Sequence, residues 1–149
     1  MQTTNEPDLE DYFQHTQLQT NDRFLYKNGR VKMLDEKLSI ILLEVGIVPN
    51  VKGYRYLRCA VVLAMRDNEI LHNITKKLYP MIATKFDTSS SRVERAIRHA
   101  IEIATNSGKM ENINSLFGIK IYGRNEKPTN SEFIALIADK LILDYGTAQ

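Results

Sequence analysis

The residues from Asp87 to Glu102 constrain the fold more than any other stretch of the chain, because their apolar and charged positions separate only on a helix. Val93, Ala96, Ile97, Ala100 and Ile101 recur at spacings i, i+3, i+4, i+7 and i+8 and form one packing face. Ser91, Glu94, Arg95, Arg98 and Glu102 share the opposite face, flanked by Arg92 and His99. The Asp87-Thr88-Ser89-Ser90 run ahead of them supplies N-cap side chains, so a helix is predicted over about residues 89–104. Two readings of the polar face stay open at this point. Arginine can pair with guanine O6 and N7 and glutamate can accept from the cytosine amino group, which suits a major groove. The same residues would also make an ordinary solvated face laced by Glu–Arg pairs.

What precedes this helix favours the first reading. Tyr79-Pro80-Met81-Ile82-Ala83-Thr84-Lys85-Phe86 reads as a short helix with Pro80 at its start, where a missing N–H costs nothing. Phe86-Asp87-Thr88 then makes a tight connection into the longer helix. The pair has a helix-turn-helix pattern, although its turn lacks the glycine often found there.

Charge is distributed to match. The formal net charge is only +2, but residues 1–22 hold five acids and no Lys or Arg, while residues 75–128 hold ten Lys or Arg against five acids. A positive field concentrated on the helix-turn-helix region is what a nucleic-acid surface requires. No segment approaches the ~20 apolar residues of a membrane span, and no secretory signal is visible, so a cytoplasmic protein without a membrane partner is expected. The single Cys59 lies among Leu57, Ala60, Val61 and Val62 and reads as a buried structural thiol.

Taken in order, residues 1–33 read as a flexible acidic arm in which Tyr12, Phe13, Phe24, Leu25 and Tyr26 could anchor on a partner or on the domain itself, with a turn at Lys27-Asn28-Gly29-Arg30. Residues 34–149 read as the folded domain. Leu38, Ile41, Leu42 and Val45 mark a helix from about Leu34 to Val45, stopped by Gly46. After a loop between Pro49 and Gly53, a helix from about Tyr54 to Met65 carries a stripe of Tyr56, Leu57, Ala60, Val61 and Ala64. A third is expected around Ile70 to Leu78. Beyond the long helix, Asn106-Ser107-Gly108 is a stop, Ile113 to Phe117 a short turn, and Ile119 to Tyr122 an extended connection. Thr129 and Glu132 have the spacing of a capping box ahead of a last helix with Phe133, Ile134, Ile137, Leu141 and Ile142. The fold class is therefore all-α, a bundle of about six helices containing a helix-turn-helix.

Catalysis has little to stand on. His15, His72 and His99 have no metal-ligand spacing to one another or to Cys59, no phosphate-binding glycine loop is present, and no carboxylate pair stands apart from the helix surfaces. Neither a catalytic residue, a metal site nor a cofactor is assigned.

Ser91-Arg92-Val93-Glu94-Arg95-Ala96-Ile97-Arg98-His99-Ala100-Ile101-Glu102, together with Lys52-Gly53-Tyr54-Arg55-Tyr56-Leu57-Arg58, Ser115-Leu116-Phe117-Gly118 and Lys127-Pro128-Thr129-Asn130-Ser131-Glu132-Phe133-Ile134-Ala135, closely resembles the DNA-binding effector domain of the sporulation master response regulator of endospore-forming bacteria. The resemblance covers roughly residues 34–145 in four ordered blocks. It implies a sequence-specific transcription regulator of double-stranded DNA that reads TGTCGAA-like boxes, pairs head to tail on tandem boxes as a homodimer, and contacts a sigma subunit of RNA polymerase. Carried onto this sequence, it makes Glu94, Arg95 and Arg98 base contacts. Ser91, Arg92 and His99 become phosphate or flanking contacts, and charge adds Lys77, Lys85 and Lys127 as phosphate candidates. Leu116 and Phe117 lie where the polymerase-contacting region falls, though a core role for Phe117 fits equally well. Family members carry a receiver domain ahead of this region, and the 33 preceding residues are too few for one, so binding independent of phosphorylation is expected. The alternative function is a protein-interaction antagonist that sequesters a full-length regulator or a polymerase subunit.

Overall fold

Apolar residues at helical spacing along most of the chain have one economical solution, a set of helices that bury their stripes against each other. The computed structural model, which describes residues 29–145, takes that form, with six α-helices and no strand among the described residues. Residues 1–28 and 146–149 lie outside the described residues, and with them most of the expected N-terminal arm.

Helix α1 spans Gly29–Glu44 and so begins earlier than Leu34. Gly29 and Arg30 belong to the helix rather than to the expected turn. No proline or strong cap interrupts the stretch up to Leu34, and extending an existing helix fixes one residue per added hydrogen bond. Its end is the one expected. Gly46 adopts φ 91°, and the N–H groups of Gly46 and Ile47 close on the carbonyls of Leu43 and Leu42 at 3.0 and 2.8 Å, a Schellman arrangement completed by buried Ile47.

Helix α2, Gly53–Arg66, is the central element. Where the sequence suggests one buried stripe, every residue from Leu57 to Met65 is buried, because α1, α4 and α6 all pack against it. Cys59 is buried here and forms no disulfide. Arg58 is buried as well, and its guanidinium bonds the Asp35 carboxylate and, at 2.6 Å, Ser39 Oγ, so its buried charge is paired.

The helix expected over Ile70 to Leu78 is not a regular α-helix. A 3-10 stretch, Asn68–Asn73, passes into a π-turn, Ile74–Leu78, and then into α3, Tyr79–Lys85. Pro80, in the first turn of α3, has no N–H to return to the carbonyl four residues back, and the wider turn ahead of it accommodates the break: Tyr79 N bonds Ile74 O instead.

Helix α4 spans Ser90–Asn106 and α5 Ile113–Phe117, the latter entered through a 3-10 turn at Met110–Asn112. Residues 119–122 form a connection that is neither helix nor strand, clipped down by Asn114, whose side chain donates to Tyr122 O at 2.8 Å and accepts from the Ile121 and Tyr122 amides at 2.6 and 3.0 Å. The last helix, α6, covers Asn130–Tyr145 and starts on the expected capping box: Glu132 N donates to Thr129 Oγ1, and Thr129 N to Glu132 Oε1, both at 3.1 Å. Phe133, Ile134, Ile137 and Leu141 are buried against α2 and α1.

Candidate nucleic-acid interface

The helix-turn-helix is α3, the turn at residues 86–89, and α4. The turn closes without glycine because Asp87 takes the left-handed conformation, φ 55°, which a short polar side chain tolerates. Thr88 N reaches Ala83 O at 2.9 Å and Asp87 N reaches Thr84 O at 3.4 Å, so α3 ends in a second Schellman arrangement. Of the four capping candidates, Ser89 is the cap: its hydroxyl accepts from Arg92 N at 3.2 Å.

Which face of α4 is fixed and which is offered follows from magnitudes. Val93, Ile97, Ala100, Ile101 and Ala104 are buried, and each large side chain among them contributes about 1.5–3 kcal/mol by leaving water. Ion pairs on the other side contribute only about 0.3–0.5 kcal/mol each. The apolar face therefore sets the seat of the helix, and the polar face is available for another task. On it Ser91, Arg92, Arg95, Arg98 and His99 are exposed, and Glu94 and Glu102 are half-buried.

The seat is close. Gly53, the first residue of α2, lies against the α4 backbone so tightly that a Cβ there would stand 2.3 Å from Ala96 O. A glycine at this place lets α2 and α4 approach with no side chain between them.

The charged groups on the offered face are partly paired with each other. Arg98 bonds Glu94 one turn back, holding two of the expected base-contact side chains together, while Arg95 is exposed on the same face. Glu102 receives Lys127 Nζ at 3.1 Å and has His99 Nδ1 at 3.8 Å. The hydrogen bond from Lys127, then its charge, hold the Glu102 carboxyl below its usual range.

The remaining expected residues are spread more widely. Lys77 is exposed on the π-turn and Lys85 is half-buried at the end of α3. Lys127 is drawn onto α4 by Glu102 rather than standing alone in solvent. Leu116 and Phe117 are half-buried and pack against the core from α5, while their neighbour Ile119 is 65% exposed. One residue that the sequence reading passes over is Arg55, whose guanidinium sits 4.9 Å from the centre of the Phe86 ring at the turn. Its signal was present in the basic Lys52–Arg58 block, which lies outside the charge-rich range of residues 75–128.

Residues 38–141 match the family described as the C-terminal domain of the sporulation initiation factor Spo0A. The chain belongs to that family. It is a sporulation-initiation DNA-binding domain, a class of transcription-factor module rather than an enzyme family. No helix among the described residues is long and apolar enough to cross a membrane, and no group of His, Cys, Asp or Glu among them is arranged to hold a metal ion.

Proposed function

We propose that this chain regulates transcription by laying α4 in the major groove of TGTCGAA-like boxes, with Glu94, Arg95 and Arg98 reading base edges. The observation that carries this reading is a helix-turn-helix helix that buries Val93, Ile97, Ala100, Ile101 and Ala104 on one face and offers exposed Arg95 and Arg98 beside half-buried Glu94 on the other. Each arginine can bond guanine O6 and N7 together, and Glu94 can accept from a cytosine amino group. Ser91 and Arg92, at the N-terminal end of α4, and His99 flank them as backbone contacts, joined by Lys77, Lys85 and, at the turn, Arg55. Pairing of two copies on tandem boxes, and contact of a polymerase sigma subunit with the region of Leu116 and Phe117, complete the reading. Half-exposed apolar side chains beside exposed Ile119 support the second of these.

The test is a gel-shift titration at stated salt on duplexes carrying a TGTCGAA-like box or a scrambled one. Arg95→Ala and Arg98→Ala should each cost about 1–3 kcal/mol of discrimination while leaving circular dichroism unchanged, since neither side chain enters the core. Equal binding of both variants and the parent to the specific box would show that another surface reads the DNA. Absence of any box preference in the parent would favour action by protein contact, as an antagonist of a full-length regulator or of polymerase.

A further inference from the structure

The segment leading into α6 runs beside α4 and holds it at two places. Lys127 Nζ bonds Glu102 Oε2 at 3.1 Å. Asn130 Nδ2 donates to the main-chain oxygen of Glu94 at 3.2 Å and to Tyr79 Oη at 2.9 Å, joining α6, α4 and α3 through one side chain. Between the two attachments Pro128 is buried, and the Thr129–Glu132 capping box holds the backbone on which Asn130 sits. Glu94 and Glu102 are eight residues apart, so the attachments are separated by roughly 12 Å along the helix.

Satisfying backbone groups does not require this arrangement. An interior helix carbonyl already has the N–H four residues on as its partner, so a second donor on Glu94 O adds little to hydrogen-bond balance. What it does add is orientation, at the residue whose side chain pairs with Arg98 on the offered face. Base-edge hydrogen bonds weaken steeply with small errors of angle and distance, whereas phosphate contacts through long basic side chains tolerate them.

Building on the reading of α4 as the base-contacting helix, we propose that Asn130 and Lys127 are positioning residues: they set the angle at which α4 presents Glu94, Arg95 and Arg98, and Lys127 acts through Glu102 rather than on a phosphate. Specificity, not general affinity for DNA, is the property they control.

The experiment uses the full chain, duplexes with a TGTCGAA-like or a scrambled box, a salt series and thermal melts. Asn130→Ala and Asn130→Asp, the latter of the same size but presenting an acceptor toward Glu94 O, should lower the ratio of specific to scrambled affinity about five- to tenfold, as expected for one lost hydrogen-bonded tether. Scrambled-box affinity should stay at the parent value. Tyr79→Phe removes the acceptor that orients the amide and should shift the ratio in the same direction. Lys127→Met should lower the ratio with its salt slope unchanged. Full discrimination in both Asn130 variants overturns the proposal, as does an equal fall on both duplexes that follows the unfolded fraction. A salt slope reduced by about 1 in Lys127→Met would make Lys127 a phosphate contact and overturn its assigned role. A parent without box preference overturns the base-reading assignment and the positioning role with it.

Discussion

Replacing Gly53 by alanine tests whether the seat of the reading helix is as close as the geometry requires. The added Cβ would meet Ala96 O at 2.3 Å, Ala96 C at 2.9 Å and Ala100 Cβ at 3.0 Å. Two of these are backbone atoms of α4 and cannot swing aside. An ordinary carbon–oxygen contact needs about 3.3 Å, so α2 and α4 must part by about 1 Å along this line. Overpacking of this kind costs about 1–3 kcal/mol, and the helix propensity gained from alanine returns at most about 1 kcal/mol, less at a first helical residue. The net expectation is a loss of about 1–2 kcal/mol, or a melting temperature lower by about 4–8 °C. Thermal unfolding followed by circular dichroism measures it, with Gly118→Ala as the control. Gly118 has φ 71° but nothing within 4 Å of an added Cβ, so it reports backbone strain without a clash. Gel shifts on the same proteins should find box discrimination reduced in Gly53→Ala, because α4 itself is displaced. A Gly53→Ala protein that melts at or above the parent temperature would refute the close-approach argument.

Three further outcomes are expected. Asp87→Val places a β-branched residue at φ 55° and should lower the urea midpoint by an amount equivalent to about 1–2 kcal/mol, with little change in the slope. Thr129→Ala removes half of the capping box and should cost about 1 kcal/mol, measured in the same denaturation series. Glu102 is expected to titrate below the usual carboxylate range, mainly through the Lys127 hydrogen bond. Because its folded value is the lower one, the stabilisation it brings is present above the unfolded carboxylate range and is lost as pH falls through the folded value. An NMR titration should find the Glu102 value raised in Lys127→Met, and an unchanged value would break the link between the two residues.

Much of the fold was legible in the residues because the deciding interactions are local. The buried and exposed faces of α4 follow from a 3.6-residue repeat, Gly46 and the Thr129–Glu132 box act across a few residues, and the core residues of α1 and α6 lie at their expected spacing. The helix-turn-helix needed only neighbouring segments, and four ordered blocks of resemblance carried its chemistry. Local signals also misled: Leu34 is not where α1 begins, and the residues from Ile70 to Leu78 fold as a 3-10 stretch and a π-turn, the latter accommodating the N–H that Pro80 lacks just beyond it.

Tertiary structure decided the rest. Lys127 reads from sequence as a phosphate candidate by its charge, and only the fold brings it to Glu102, 25 residues away. Asn130 reads as a helix start, yet its amide joins Tyr79 and Glu94 across 51 and 36 residues. Arg58 is buried because α1 delivers Asp35 and Ser39 to it, and Gly53 matters because α4 crosses there. Spacing along a chain determines which side chains share a helix face, since helix geometry repeats every few residues. Which faces then meet, and at what distance, depends on packing all the helices at once, and no local repeat encodes that.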